Sequence, residues 1–228
     1  MIQKGVVLVN GSVQKNPLYQ VSKSDRISFS EKIHSYANTL GVLLIYKPRG
    51  VWTNCKQGIN QKEVIDLLPK KYRLFSSIGR LDKDSEGLIL FTNDGVYANR
   101  FLNSGESHER IYHVWTKRSL TKEQLHDLSL GIYLSDGRTK PCFISKMNQN
   151  CYEFRLFEGK NRQIRRMVEY CLTHVTRLKR VSFGGHALGG MVPGQFRYQS
   201  LTADFLKRLD GCEASHEFIC QQNMRLTK

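Results

Sequence analysis

The chain has 228 residues, and its 35 Lys and Arg against 20 Asp and Glu give a formal net charge of +15. Hydrophobic residues make up 40% and aromatic residues 10%, which is enough for a packed core and excludes a disordered or low-complexity protein. No apolar run approaches the roughly 18 residues of a membrane span, and no secretory signal begins the chain. We therefore expect a cytoplasmic protein with no membrane partner.

The first thirty residues have the pattern of a small β-rich unit. Apolar and polar residues alternate in short runs, and the runs 6–9 and 12–14 flank the Asn-Gly pair at 10–11. Asn-Gly between such runs is a strong signal for a β-hairpin. Residues 31–40 are polar and predict a linker, and a larger domain follows at 41–210.

The larger domain lacks the regular strand–helix alternation of a doubly wound sheet. Its short apolar runs predict buried strands at 42–46, 88–91, 111–116 and 151–157. Asn60 with Glu63 predicts the start of one helix, and Thr121 with Gln124 predicts the start of another that Gly131 closes. We predict an α+β domain with a mixed, largely antiparallel sheet and flanking helices.

The clearest helical pattern follows Asn161. Its apolar residues recur at the i, i+3, i+4, i+7, i+8 spacing of one helix face, at Ile164, Met167, Val168, Cys171 and Leu172. Beside them runs a second stripe of Arg162, Arg165, Arg166 and Glu169. The pattern predicts a helix that buries one flank and presents arginines on the next.

Positive charge is concentrated around this helix. The stretch 160–180 contains seven cationic side chains, namely Lys160, Arg162, Arg165, Arg166, Arg177, Lys179 and Arg180. Arginine binds phosphate through two parallel hydrogen bonds and displaces condensed counterions, so such a face suits a polyanion. The alternative is a merely solvated helix face, but the net charge of +15 favours nucleic acid as the partner.

The densest polar string, GRLDKDSEG at 79–87, precedes a predicted buried strand. Its alternating carboxylates resemble a calcium loop, but the twelfth position is Asn93, where a bidentate Glu is needed. A simpler alternative is a turn whose carboxylates pair with Arg80 and Lys83. A rigid strand end is nevertheless a good place to hold one carboxylate in a cleft, so Asp82 is a candidate catalytic residue.

Other kinds of site are less well supported by the sequence. Cys212, His216 and Cys220 are spaced four apart, but they lack a fourth ligand and a closing loop, so we predict no metal site. Cys142 after a proline is a candidate nucleophile for uridine chemistry, although no Gly-rich turn for a nucleoside cofactor is present. No phosphate-binding loop is found, and no nucleotide cofactor is expected.

Three motifs in this order, YKPRGV, GRLDKDSEGLILFTNDG and EGKNRQIRRM, resemble the ribosomal RNA pseudouridine synthases of the RsuA, RluB, RluE and RluF family. The later RLKRVSFGG and LGGMVPGQFRYQSLT resemble the same family, and the resemblance extends over about residues 1–210. It implies a pseudouridine synthase-like fold. Residues 1–30 resemble the second half of an alpha-L RNA-binding module, without the helices expected before it, and the tail 211–228 resembles nothing known.

The resemblance implies roles for individual residues. Asp82 matches the essential aspartate, Arg80 the arginine that fills the gap left by a flipped nucleotide, and Tyr112 the tyrosine that stacks on the target base. Arg165 matches the basic partner of the aspartate. Arg110 stands where many members have lysine, a conservative change. The remaining predicted RNA-binding residues are Lys160, Arg162, Arg166, Lys179 and Arg180.

The sequence therefore predicts an isomerase that converts a uridine of ribosomal RNA to pseudouridine, as a monomer and without a cofactor. A rival of another class is a catalytically silent RNA-binding or ribosome-assembly protein that keeps the basic face. A third alternative is a uridine-modifying enzyme with a different nucleophile.

Overall fold

The computed structural model describes residues 1–54, 61–102, 108–204 and 207, which belong to two compact units. The first unit comprises Met1–Val42 together with the described residues from Gln199 onward, and the second covers the described part of Leu43–Tyr198. Within these described ranges, no helix has the length and apolar character needed to cross a bilayer.

The first unit contains a three-stranded antiparallel sheet of β1 (Val7–Val9), β2 (Ser12–Gln14) and β3 (Ile27–Phe29), in the order β2-β1-β3. Val9 pairs with Ser12, so Asn10 and Gly11 form a two-residue turn with φ angles of 51° and 80°. Asn and Gly tolerate this left-handed conformation best, which is why the dipeptide specifies the turn. The predicted hairpin is confirmed, while the alpha-L module remains a prediction.

A short helix, α1 (Lys32–Ala37), follows this sheet, with Ile33 and Ala37 buried. The prediction of a linker at 31–40 missed this helix, because only two apolar residues, four apart, mark its buried side in a polar stretch. The unit boundaries also differ from the predicted domain at 41–210, since residues from Gln199 onward belong to the first unit.

A nine-stranded mixed sheet dominates the second unit. Its strands are β4 (Gly41–Lys47), β5 (Ser76–Ile78), β6 (Glu86–Thr92), β7 (Arg110–Thr116), β10 (Phe143–Asn148), β11 (Cys151–Leu156), β12 (Val175–Phe183), β13 (His186–Ala187) and β14 (Phe196–Ser200). The order is β10-β11-β7-β12-β6-β4-β14, with β13 beside β12 and β5 beside β6. A separate hairpin joins β8 (Tyr133–Leu134) and β9 (Gly137–Arg138). Strands β10, β11, β7 and β12 run antiparallel, whereas β12 and β6 run parallel.

The helices of this unit are α2 (Gly95–Leu102), α3 (Lys122–Leu130) and α4 (Gln163–Tyr170), with 3-10 turns at Val64–Leu67 and Lys70–Tyr72. Helix α3 begins as predicted, because Thr121 and Gln124 each accept a hydrogen bond from the backbone N–H of the other. The helix predicted from Asn60 is replaced by the 3-10 turn that Glu63 caps, and Asn60 itself lies outside the described residues.

Helix α4 confirms most of the predicted apolar stripe, since Ile164, Met167 and Val168 are buried. Leu172 is a correction: it is 87% exposed, because the helix ends at Tyr170 and Leu172 takes a left-handed φ of 57°. The predicted helical spacing of apolar residues does not continue beyond the end of the helix at Tyr170.

Two hydrophobic clusters fill the second unit. One consists largely of apolar residues from α3, α4, β7, β11 and β12. The other contains residues of β4 and β6 and of the segment between these two strands. Tyr112 of β7 packs against both clusters. The predicted α+β class with a mixed, largely antiparallel sheet is confirmed.

The parallel pairing of β6 with β12 requires a glycine at one position. Gly87 pairs with Arg180 and has a φ of +104°. A Cβ at Gly87 would lie 2.2 Å from the carbonyl oxygen of Arg180, so the two strands approach too closely for any side chain there. This close approach brings the start of β6 against the strand that follows α4.

Candidate active site

A cleft of about 440 Å³ opens in the second unit where the loop before β6 meets the turn before α4. Its walls come from residues 79–82, from β7 and β12, and from the segment 158–164. The predicted residues Asp82 and Tyr112 both line this cleft, although 30 positions separate them in the sequence.

Asp82 lies in the loop between β5 and β6, and its side chain is 31% exposed. Thr53 fixes the preceding backbone, because its hydroxyl donates to the carbonyl of Leu81 at 2.8 Å and accepts from the Leu81 N–H at 3.1 Å. These bonds are buried, so they fix the backbone of the loop immediately before Asp82, while the carboxylate itself remains partly exposed.

Lys47 also stabilises the loop that carries Asp82. Its fully buried ammonium group donates to the backbone carbonyls of Pro48 at 3.0 Å, Lys83 at 3.3 Å and Ser85 at 2.6 Å. Burial lowers the pKa of Lys47 to about 8, and the nearby Asp82 carboxylate opposes that shift. The sequence analysis missed this lysine, although it lies in the YKPRGV motif.

Two arginines face the Asp82 carboxylate. Nη1 of Arg162 is 3.7 Å from Oδ2 of Asp82, and Nε of Arg165 is 4.0 Å from the same oxygen. The Arg165 side chain is only 9% exposed and donates from Nη2 to Oγ of Ser85 at 3.2 Å. Its buried Nε has no hydrogen-bond partner among the described residues. A small shift would bring this donor onto the carboxylate.

Burial lowers the pKa of Arg165, and the neighbouring Arg162 lowers it further, while Asp84 and Asp82 oppose the change. An arginine remains protonated under such a shift, so it acts here as a fixed positive charge in a partly dry site. This positive charge lies 4.0 Å from the Asp82 carboxylate and attracts it.

Arg162 has an unusual backbone. It stands at the N-terminal cap of α4 with φ 47° and ψ 31°, a left-handed conformation that costs free energy for any residue with a Cβ. Besides Asp82, its Nη1 lies 3.6 Å from Oδ2 of Asp84. The sequence analysis assigned Arg162 to RNA binding alone, and the structure also places it against the carboxylate.

Tyr112 projects from the centre of β7, where it pairs with Phe154 of β11 and Arg180 of β12. The side chain is half-buried, and it lines the cleft as well as packing against the core. Tyr112 therefore contributes both to the core, as expected for a strand tyrosine, and to the wall of the cleft, as expected for a site residue.

The other predicted cations divide into two groups. Arg80 is exposed at the cleft, Lys160 lines it while donating to the carbonyls of Asp136 and Gly137 at 3.0 Å each, and Arg180 forms part of its buried wall. Arg180 is 2% exposed and donates from Nε to the carbonyl of Leu88 at 2.7 Å.

Arg166 and Lys179 do not line the cleft. Arg166 makes two hydrogen bonds to the Asp136 carboxylate, at 2.7 and 3.0 Å, and Nζ of Lys179 lies 5.2 Å from the centre of the Tyr46 ring. Their predicted contact with RNA is therefore outside the cleft.

Arg110, to which the sequence analysis gave no weight, is a wall residue of the cleft. Its guanidinium and that of Arg180 lie 5.0 and 4.8 Å from the centre of the Phe183 ring. Burial lowers the pKa of Arg110, with Arg180 contributing in the same direction. In all, the cleft is lined by five cationic side chains, Arg80, Arg110, Lys160, Arg162 and Arg180, against the two carboxylates Asp82 and Glu158. Such a surplus attracts phosphate groups.

The alternative sites fare differently. Cys142 does not line the cleft, and burial raises the pKa of its thiol to about 11, so it is protonated at neutral pH. Within the described ranges, no group of three His, Cys, Asp or Glu side chains is arranged to hold a metal ion. The cluster of Cys212, His216 and Cys220 lies outside the described residues.

Comparison with known proteins identifies the family. Residues 41–170 match the family of RNA pseudouridylate synthases. The chain is 33% identical over 207 residues to the dual-specificity RNA pseudouridine synthase RluF of Salmonella typhi, covering 90% of this chain and 70% of the relative. It is 33% identical over 216 residues to the ribosomal large subunit pseudouridine synthase B of Bacillus subtilis, covering 92% and 87%.

The fold agrees with this match. A crystal structure of a pseudouridylate synthase superposes with a TM-score of 0.66 at 22% identity, covering 89% of this chain and 88% of that one. Since the family match spans more than half of the sequence and includes the loop of Asp82, the chain belongs to the RNA pseudouridylate synthase family.

Proposed function

We propose that the protein isomerises a specific uridine of ribosomal RNA to pseudouridine, with Asp82 as the essential catalytic residue. The observation that carries the proposal is the placement of Asp82 in a cationic cleft, flanked by Arg162 and Arg165 at 3.7 and 4.0 Å and sharing that cleft with Tyr112. Two relatives named for ribosomal RNA or dual-specificity RNA pseudouridine synthesis support the choice of substrate.

The reaction breaks the bond between the ribose and nitrogen 1 of uracil and joins the ribose to carbon 5 instead. Carbon 5 loses a proton and nitrogen 1 gains one, so nothing is oxidised and no group is added. A carboxylate that attacks the anomeric carbon or removes the proton from the neighbouring ribose carbon starts this exchange. Asp82 is partly exposed, so the sugar can reach it, and the positive charge of Arg165 lies beside it.

The target base must leave its stack before it enters the cleft, which costs a few kcal/mol. Arg80 is exposed beside Asp82 and carries a planar cation that can fill the vacated position. Tyr112 then offers a ring face to the flipped uracil and a hydroxyl for the final proton transfer from carbon 5.

The remaining cations of the site bind the RNA backbone. Lys160 and Arg162 lie within the cleft, where they meet the phosphates next to the target, while Arg166 and Lys179 contact RNA farther away. The cleft is built from residues of one unit, which supports a monomer as the active form.

The rival proposal is a catalytically silent RNA-binding or ribosome-assembly protein. A pure binder gains nothing from a carboxylate among phosphate-seeking arginines, because it repels the ligand. The buried bonds that fix the Asp82 loop therefore favour the enzyme.

The experiment is a tritium-release assay with the wild-type protein. Unmodified transcripts of large-subunit and small-subunit ribosomal RNA, labelled at carbon 5 of uridine, are compared with labelled transfer RNA. The proposal predicts saturating release from a ribosomal transcript, with pseudouridine mapped to one or a few positions. Binding to both ribosomal transcripts without any release would support the silent binder and contradict the proposal.

A further inference from the structure

A second, smaller hollow adjoins the active-site cleft. It has a volume of about 200 Å³ and shares Arg80, Leu81, Asp82 and Arg162 with the larger cleft. Its remaining walls are Trp52, Thr53, Asn54, Lys83 and Asp84. Asp82 therefore borders both hollows.

Trp52 is the aromatic wall of the hollow. It is partly exposed and belongs to neither of the two hydrophobic clusters described above, whereas the adjacent Val51 is buried in one of them. The indole Nε1 of Trp52 is buried, so this edge of the ring is anchored, and the exposed part of the ring offers a flat surface to a ligand beside Asp82.

The backbone around Trp52 is fixed. Its N–H donates to the carbonyl of Lys62 at 3.1 Å, and its carbonyl accepts from the Val64 N–H at 2.9 Å. The next residue, Thr53, is bonded to Leu81, and the Gly50 N–H donates to the carbonyl of Lys83 at 2.8 Å. The segment carrying Trp52 is thus hydrogen-bonded directly to the loop carrying Asp82, so the spacing between the two backbone segments is fixed.

The charge of the hollow also suits a nucleotide. Nζ of Lys83 lies 5.4 Å from the centre of the Trp52 ring, and the lysine side chain is exposed, so it can move to a phosphate when a base takes its place. Proteins that bind single-stranded RNA combine such cations with an aromatic ring on which a base stacks.

We propose that this hollow binds the nucleotide next to the target uridine, with its base stacked on Trp52 and its phosphate neutralised by Lys83. The proposal rests on the proposed function, since it needs a strand with a uridine at Asp82. It makes Trp52 a determinant of RNA binding that is separate from the catalytic residues.

The first test uses tryptophan fluorescence, because the chain has only two tryptophans, Trp52 and Trp115. Trp115 lies on β7 outside both hollows and serves as a matched control. The Trp115→Phe protein, whose emission comes from Trp52, is titrated with hexauridylate and with an abasic hexamer that has the same phosphates but no bases.

Saturable quenching of Trp52 by hexauridylate, with little by the abasic hexamer, is the expected result. The Trp52→Phe protein, which retains Trp115, should respond weakly to both. Equal responses of Trp52 to the two probes, or no response to either, would overturn the proposal and leave Trp52 and Lys83 as a surface cation–π pair.

The second test uses turnover on the ribosomal transcript. Trp52→Leu should raise KM about tenfold with a much smaller change in kcat, and Trp52→Phe should recover most of the loss. Thermal unfolding checks that both variants are folded. An active wild type with unchanged KM in folded Trp52→Leu refutes this inference alone, whereas an inactive wild type refutes the proposed function.

Discussion

Two carboxylates four residues apart, Asp82 and Glu86, are held in opposite ways. Glu86 is only 10% exposed at its side chain, and it accepts hydrogen bonds from Arg177 and, at 3.0 Å, from the hydroxyl of Tyr46. Asp82 is 31% exposed, and its arginines stay at 3.7 and 4.0 Å, beyond hydrogen-bond distance. The buried, hydrogen-bonded Glu86 stabilises the sheet. Asp82 has no such hydrogen bonds to its arginines, so its carboxylate is available to a substrate.

The titration of neighbouring groups shows the same contrast. The bond to Glu86 raises the pKa of Arg177, and burial with the Glu86 charge raises the pKa of Tyr46, so these three groups behave as one bonded cluster. Arg165 has a lowered pKa because its burial is not matched by a bonded carboxylate. Arg165, whose charge lacks a hydrogen-bonded carboxylate, lies beside Asp82, where the reaction is proposed to occur.

Removing the charge beside Asp82 gives the largest effect among the supporting residues. Arg165→Met should lower kcat about 100-fold, because it removes a fixed positive charge beside the Asp82 carboxylate. Arg165→Lys, which keeps the charge, should recover most of the lost kcat in single-turnover tritium release. A kcat near that of the wild type in folded Arg165→Met would contradict the assigned role.

Forcing β6 away from β12 tests whether the strand carrying Glu86 is structural. Gly87→Ala should lower the free energy of unfolding by about 2–4 kcal/mol, because φ is +104° and the new Cβ would overlap the Arg180 carbonyl. Urea denaturation measures the change. Gly95→Ala is the control, since a Cβ there has no other atom within 4 Å, and it should leave stability nearly unchanged.

Glu86→Gln breaks the sealed pair directly. We expect a loss of about 1–2 kcal/mol in the free energy of unfolding, which is below the cost for a fully buried pair because the Arg177 side chain is 48% exposed. The kcat should stay within a few-fold of the wild type. A loss of turnover larger than the loss of stability explains would show that Glu86, too, serves the reaction.

Lys47 connects the two carboxylates, because it binds the carbonyls of Lys83 and Ser85 between them. Its pKa is about 8 in the folded protein, against 10.5 in the unfolded chain. Between these values the unfolded chain binds the extra proton, so Lys47 makes stability rise with pH.

Relative to Lys47→Met, the wild type should therefore gain up to about 1.4 kcal/mol of stability per pH unit between pH 8 and 10.5. Urea denaturation of both proteins at several pH values measures this difference. If the stability difference between the two proteins stayed constant from pH 8 to 10.5, burial would not lower the pKa of Lys47 in the folded protein.

Much of the site could be predicted from the sequence, because its parts lie in local motifs. The GRLD string before a predicted buried strand marked Asp82 as a candidate, and the helical pattern around QIRR predicted Arg165 on a helix. The pairing of these two residues was implied only by the resemblance to the family. The Arg162 contact could not be predicted, since it depends on a left-handed backbone at an arginine, which no local preference favours.

The role of Lys47 was missed for a different reason. Lysine is rarely fully buried, and its three carbonyl partners come from positions 48, 83 and 85, of which only one is close in sequence. The helix at Lys32–Ala37 was missed because a buried pair of small and apolar residues in a polar stretch gives little periodic signal.

Asp82→Asn gives the most direct test of the central claim, that the loosely held carboxylate breaks and remakes the bond between sugar and base. Single-turnover tritium release should fall by a factor of at least about 10³, with RNA affinity and the unfolding temperature close to those of the wild type. Release by folded Asp82→Asn at a rate near that of the wild type would contradict the account.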